Sequence, residues 1–227
     1  MLRTAPIITI AKQEASGRTN AWIVYLGGGE EANRAIFKYV NRPRPKMLPS
    51  SYRYELAAYE LNKLLGLELI PATVERTIEG RPGSLQCYCR DVITEASRRR
   101  KNLAPENTSG FQDAFSELGL FENLTNNPRE DASDILINTT DWKVWRVDFS
   151  EAFAPDPVLL PESPFSRCAR KLYQKLRETT DAEFSGRLGL YLGEEEVRSL
   201  LVRKRLILDR LESLIRDKGE ASVLFEP

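Results

Sequence analysis

FENLTNNPREDASDILINTTDWKVWRVDFSEAF, residues 121–153, decides how the rest of the chain is read. Two short apolar runs, Ile135-Leu136-Ile137 and Val144-Trp145-Arg146-Val147, flank a polar turn, which is the pattern of a β-hairpin. Asp134 precedes the first run and Asp148 follows the second. In an antiparallel pair the start of one strand lies beside the end of the next, so the two carboxylates are expected on one edge. Such a pair suits Mg²⁺, a hard cation usually held by one or two carboxylates while substrate phosphates and waters fill the other positions. Aspartates at strand ends also serve as plain turn and cap residues, and the local pattern leaves both roles open.

Upstream, residues 7–10, 21–26 and 35–40 are strand-like runs separated by turn signals, a three-stranded antiparallel meander. Gly27-Gly28-Gly29 needs no role beyond a turn, whereas Ser16-Gly17-Arg18-Thr19 would let backbone N–H groups approach phosphate oxygens. A plain hairpin turn uses the same residues. Lys38 is a cation within an apolar strand, a costly place unless its ammonium reaches solvent or a partner; edge-strand protection is the alternative. After a Pro-rich loop, a helix is expected from Ser51 to Gly66, with Ala57, Leu61, Leu64 and Leu65 on one face and Glu55 and Glu60 as ordinary solvated glutamates. Residues 72–78 and 83–88 read as a further hairpin, joined by Glu79-Gly80-Arg81-Pro82, and the alternation of Leu85, Cys87 and Cys89 suggests one buried side.

From Asp91 to Gly110 the pattern fades, which places a lobe boundary between residues 1–90 and 91–227. A helix from Phe111 leads into the central hairpin. Four prolines in residues 154–164 make an extended surface segment, and helices are expected at 165–178, 181–192 and 194–218.

The 227 residues carry 33 basic and 33 acidic side chains, so no overall field suggests nucleic acid or a charged membrane. The one dense basic run, residues 98–101, reads as a solvated loop or helix end. No apolar stretch approaches the roughly 20 residues of a membrane span, and no secretory leader pattern opens the chain, so a soluble, cytoplasmic protein is expected. Three cysteines and no histidine argue for reduced, mostly buried thiols and against zinc. The missing imidazole also excludes serine and cysteine triads, leaving acid–base work to carboxylates.

Strands with a lysine, a helix with a glutamate seventeen residues on, two more strands, and a mainly helical second half opening on an acid-framed hairpin together resemble the protein-kinase-like fold. The likeness is closest to the atypical branch of phosphoinositide kinases, HipA-like kinases and bacterial proteins grouped with them. It rests on residues 54–61 (YELAAYEL), residues 147–153 (VDFSEAF) and residues 203–224. The resemblance implies an α+β, bilobal architecture, with a small antiparallel β lobe bearing one helix and a mainly helical C-terminal lobe. It implies ATP and Mg²⁺ as cofactors, with Lys38 on the nucleotide phosphates and Glu55 holding it. Ser16 and Gly17 would lie near the phosphates, and Gln86 to Arg90, including Tyr88, would form the hinge around adenine. Asp148 and Asp134 would hold metal, Asp134 standing where the family has asparagine.

The catalytic loop departs from the family pattern: residues 127–134 read NPREDASD, which puts Arg129 at the base position. Guanidinium has no acceptor and cannot take a proton. Asp131 could replace the base while Arg129 holds a phosphate, or Asp131 is a loop carboxylate. Two functions follow: a phosphotransferase acting on an unknown protein or small-molecule hydroxyl, or a pseudokinase whose nucleotide pocket serves partner binding.

Overall fold

The computed structural model describes residues 2–12, 20–28, 33–44, 49–127 and 132–226. β1 (Ile7–Lys12), β2 (Ala21–Leu26) and β3 (Asn33–Lys38) form the expected meander. Two short strands, β4 (Asn41–Arg42) and β5 (Ser50–Ser51), pair ahead of α1 (Tyr52–Leu64), after which β6 (Thr73–Ile78) and β7 (Arg81–Cys87) complete an antiparallel sheet in the order β1-β2-β3-β7-β6. β3 is therefore internal, and Lys38 is its last residue. That rules out edge protection as the reason for a lysine there.

One face of this sheet buries Trp22, Val24, Leu26, Ala35, Phe37, Ile78 and Leu85. The period of two sends Tyr25, Arg34, Ile36 and Lys38 to the other face. β6 and β7 meet through Glu79-Gly80, both at positive φ, so the turn is the two-residue kind and Arg81-Pro82 belongs to the strand. Gly83 lets β7 press against β3: a Cβ there would sit 2.4 Å from the Lys38 carbonyl oxygen. The expected buried alternation ends at Leu85, because Cys87 lies where the sheet runs out and is exposed; Cys89 is half-buried and only Cys168 is fully enclosed.

α1 starts where Ser51 accepts a hydrogen bond from the Arg53 N–H. Ala57, Leu61 and Leu65 are buried and Leu64 only partly. Full burial of each such leucine contributes roughly 1.5–3 kcal/mol.

Residues 91–110, read as patternless, hold β8 (Val92–Thr94) and α2 (Glu95–Arg100). Three residues are too few for alternation to show, and α2 closes on itself through Glu95, which pairs with Arg98 and Arg99 at the helix end. α3 (Thr108–Thr125) and a 3-10 turn (Ala132–Asp134) precede the central hairpin of β9 (Ile135–Asn138) and β10 (Val144–Arg146). Its register, Ile135 opposite Arg146 and Ile137 opposite Val144, is antiparallel as read, and β8 adds a third strand beside β9. Residues 154–164 contain no helix or strand, yet they are not wholly superficial: Asn123 binds the Leu160 N–H and the Ser163 carbonyl, and Ser163 is buried.

β11 (Cys168–Ala169) delays the next helix, α4 (Arg170–Glu178), because these residues pair in parallel with β12 (Leu224–Phe225). α5 (Asp181–Leu188), α6 (Glu194–Lys218) and α7 (Glu220–Val223) complete the chain before β12. The large core gathers Phe121, Leu124, Phe149, Phe153, Leu200 and Ile207. Among the described residues no helix is long and apolar enough to cross a membrane.

Glu117 on α3 supplies a pH-dependent contribution. Burial first, and the Asp113 charge second, push its carboxyl up to about 7. The folded chain then binds more protons than the unfolded one between the ordinary glutamate pKa and about 7, so stability should fall as pH rises through that window. Allowing for partial solvation, the loss should be about 2 kcal/mol. Urea titrations at pH 5 and pH 8 measure it; Glu117→Gln should flatten the difference, and an unchanged difference would assign it to other groups.

Candidate active site

Lys38, at the end of an internal strand, has its ammonium shared between the two lobes. Its Nζ donates to Glu55 Oε1 of α1 at 2.6 Å and to Asp148 Oδ1, just past β10, at 2.8 Å. Glu55 is 3% exposed and so is no solvated helix glutamate. It also accepts the Phe149 N–H at 3.2 Å. Burial alone would push the ammonium down, but Glu55 and Asp148 outweigh it and hold Lys38 above the usual lysine range. Glu55 is raised, burial being the largest cause, while Asp148 is lowered to about 2 because Lys38 and the Ser150 hydroxyl overcome its own burial.

Asp148 stands at φ +62°, a left-handed conformation that costs of order 1 kcal/mol and persists only where its surroundings impose it. Asn127 Nδ2 donates to its carbonyl at 3.2 Å, Ser150 Oγ donates to its Oδ1 at 2.7 Å, and the Ser51 N–H holds the Ser150 carbonyl at 2.8 Å. The hairpin brings Asp134 to the same edge, since the Val147 N–H donates to the Asp134 carbonyl at 2.9 Å. Asp134 Oδ2 lies 3.3 Å from Arg146 Nη1, and the enclosed Glu122 lies 3.4 Å from Arg146 Nε. Both aspartate side chains keep about a third of their surface exposed, 31% for Asp134 and 38% for Asp148.

Two part-exposed carboxylates suit Mg²⁺, which takes few protein ligands and completes its shell from phosphate and water. Among the described residues no cluster of three or more acidic, cysteine or histidine side chains offers a self-sufficient metal cage.

The small-lobe helix is fastened to the large lobe. Arg53 donates to the Leu190 and Tyr191 carbonyls, Tyr54 Oη to Glu196 Oε1 at 2.6 Å, and Arg44 to the Glu151 and Ala152 carbonyls at 2.8 Å each.

Of the residues singled out from sequence, Lys38, Glu55 and Asp148 converge, with Asp134 on the adjoining edge. Gln86 lies within β7, its side chain donating to Thr73 Oγ1, and Tyr88 opens the connector to β8 with its N–H on the Arg34 carbonyl. Ser16, Gly17, Arg129 and Asp131 lie outside the described residues. Sequence reasoning passed over Ser150, Asn127 and Arg146. For Arg146 the signal was present: an arginine inside an apolar strand run needs buried partners.

The sequence matches no protein-family model and no curated protein. In three dimensions the chain is similar to a hydra Fam20 structure solved with sugar, at 15% identity and a TM-score of 0.71, over 98% of this chain and 89% of that one. It is also similar to the Helicobacter pylori proinflammatory kinase CtkA, at 10% identity and a TM-score of 0.58, over 96% of this chain and 98% of that one. A small antiparallel lobe with one helix, a mainly helical second lobe, and structural neighbours of this kind over nearly the full length give the chain a bilobal, protein-kinase-like fold.

Proposed function

We propose that the chain binds ATP with Mg²⁺ between lobes that divide near residue 90, Lys38 meeting the phosphates, Glu55 orienting Lys38, and Asp134 and Asp148 holding the metal. The observation that carries this reading is the ammonium of Lys38 shared between a buried helix glutamate and the hairpin aspartate. These three side chains come from well-separated parts of the sequence, and a purely structural pair would not need the second carboxylate. Mg²⁺, when bound, would offset phosphate charge and orient the terminal phosphoryl group.

The chain's own residues do the rest. Lys38 stays charged throughout the physiological range, so it can leave Asp148 for a phosphate oxygen while Glu55 keeps it in place. Ser150 and Asn127 hold Asp148 at its edge. Transfer depends mainly on positioning and charge stabilisation, so Asp131 acting as base for a hydroxyl acceptor is compatible with Arg129 at the usual base position. The second reading, a pseudokinase that binds nucleotide without transfer, is favoured by Arg129 itself, which cannot accept a proton.

Thermal unfolding with millimolar ATP, with and without Mg²⁺, tests the common part. The melting temperature should rise by several degrees, as for any ligand specific to the native state, and Asp148→Asn should remove the dependence on Mg²⁺. No shift at millimolar ATP sinks the nucleotide site. A metal response unchanged in Asp148→Asn sinks the metal assignment. ATP turnover separates the two readings: loss of turnover with retained binding in Asp131→Asn supports transfer, and absent turnover in the unaltered chain supports the pseudokinase.

A further inference from the structure

The register of the small-lobe sheet fixes what faces the gap beside Lys38. Cross-strand partners form three successive rows on that face: Ala21, Lys38 and Ser84; then Ile23, Ile36 and Gln86; then Tyr25 and Arg34. The Tyr88 N–H on the Arg34 carbonyl extends the third row to Tyr88. If the first row meets phosphates, the aliphatic pair of the second is the surface for a flat base. The third row then meets the outer edge of that base. Lys38 and Arg34 stand four strand residues apart, about 13 Å, a span in keeping with an extended nucleoside triphosphate.

The third row is unusual in its chemistry. Arg34 is stacked on Tyr88, its guanidinium carbon 4.2 Å from the ring centroid. Tyr25, Arg34, Tyr88 and Arg90 line one cavity of about 440 Å³ beside the connector between the lobes. Stacking holds a guanidinium in one plane and leaves its N–H edge to face a ligand. A planar fork of donors complements two adjacent acceptors. Guanine offers O6 and N7 in that arrangement, whereas adenine presents the N6 amino donor beside N7.

We propose that Arg34, stacked on Tyr88, reads the base edge of the nucleotide and makes this site prefer a 6-oxopurine, so that GTP binds more tightly than ATP. This inference rests on the nucleotide reading above and deepens it. Because the cavity is partly open to solvent, the preference belongs at the low end of what a bidentate arginine–guanine contact supplies, about five- to tenfold.

The test is equilibrium titration of the full chain with GTP·Mg²⁺ and ATP·Mg²⁺, followed by calorimetry or thermal shift, alongside Arg34→Met and Tyr88→Leu. GTP should bind about five- to tenfold more tightly than ATP. Arg34→Met should bring the two to equal affinity by weakening GTP about five- to tenfold more than ATP, since adenine offers the guanidinium N7 alone where guanine offers O6 and N7. Tyr88→Leu should shrink the preference by freeing the guanidinium from its plane. Equal or tighter binding of ATP by the unaltered chain overturns the proposal and leaves the nucleotide reading standing. So does a GTP preference that survives Arg34→Met. Failure of both nucleotides to bind removes the underlying reading itself, a result the ATP experiment above detects independently.

Discussion

Lys38→Met should abolish the nucleotide-dependent rise in melting temperature and lower stability at neutral pH by about 3 kcal/mol. The large effect comes from what is left behind. Glu55 is 3% exposed and Asp148 lies on the same ammonium, so removing the cation leaves a buried carboxylate facing a second negative charge. Deleting one partner of such a pair costs more than never having had it. Glu55 would relieve the conflict by taking up a proton, and its pKa is already raised by burial. The folded variant would then bind a proton that the unfolded chain releases above the ordinary glutamate range. Its deficit should therefore shrink as pH falls from 7 toward 5. Lys38→Met with Glu55→Gln should recover most of the stability and none of the nucleotide response, which separates the two roles. Chemical denaturation at both pH values is the measurement, and a single variant as stable as the parent that still responds to ATP would falsify the central placement of Lys38.

Arg146→Met is expected to cost 3 to 5 kcal/mol, roughly the range for uncoupling a buried charge cluster. Arg146 is 2% exposed and Glu122 is fully enclosed, so the guanidinium stands between a carboxylate without solvent and Asp134 at the edge of the gap. It also donates to the Asp134 and Val147 carbonyls, which ties the two strand ends that present the aspartates. Loss of the guanidinium therefore removes that positive charge from beside the enclosed Glu122 carboxylate and loosens that edge. Adding Glu122→Gln should restore most of the stability, because a neutral amide beside Ser163 no longer needs a cation. Urea midpoints for the parent and the two variants decide it: Arg146→Met within about 1 kcal/mol of the parent would show the cluster to be dispensable. Arg146, 3.3 Å from Asp134, also offsets the negative charge that Asp134 brings to the edge of the gap.

The parts of the fold legible in the sequence were those with a local period. The hairpin of residues 135–147 showed as two apolar runs about a polar turn, α6 carried helical spacing, and Glu79-Gly80 announced a turn. β8 stayed hidden because its pairing is set by a neighbour distant in sequence, Ile93 lying opposite Ile137, and α2 because six residues held together by Glu95 with Arg98 and Arg99 are too short to show a helical period. The site divided the same way. Asp134 and Asp148 were read from the local hairpin pattern, whereas Lys38 and Glu55 were joined to them only through the order of elements, since no local rule joins a strand lysine to an acid 110 positions later. Arg146 was passed over as one more strand residue, and the role of Arg34 follows only once register says which residues share its row.

The anchoring of α1 makes it the joint between the two halves of the molecule. Arg53 and Tyr54 tie the helix carrying Glu55 to the helical half, while β6 and β7 pack against the same helix. The glutamate is the post at that joint, with Lys38 of the sheet and the Phe149 N–H of the helical half both fastened to its Oε1.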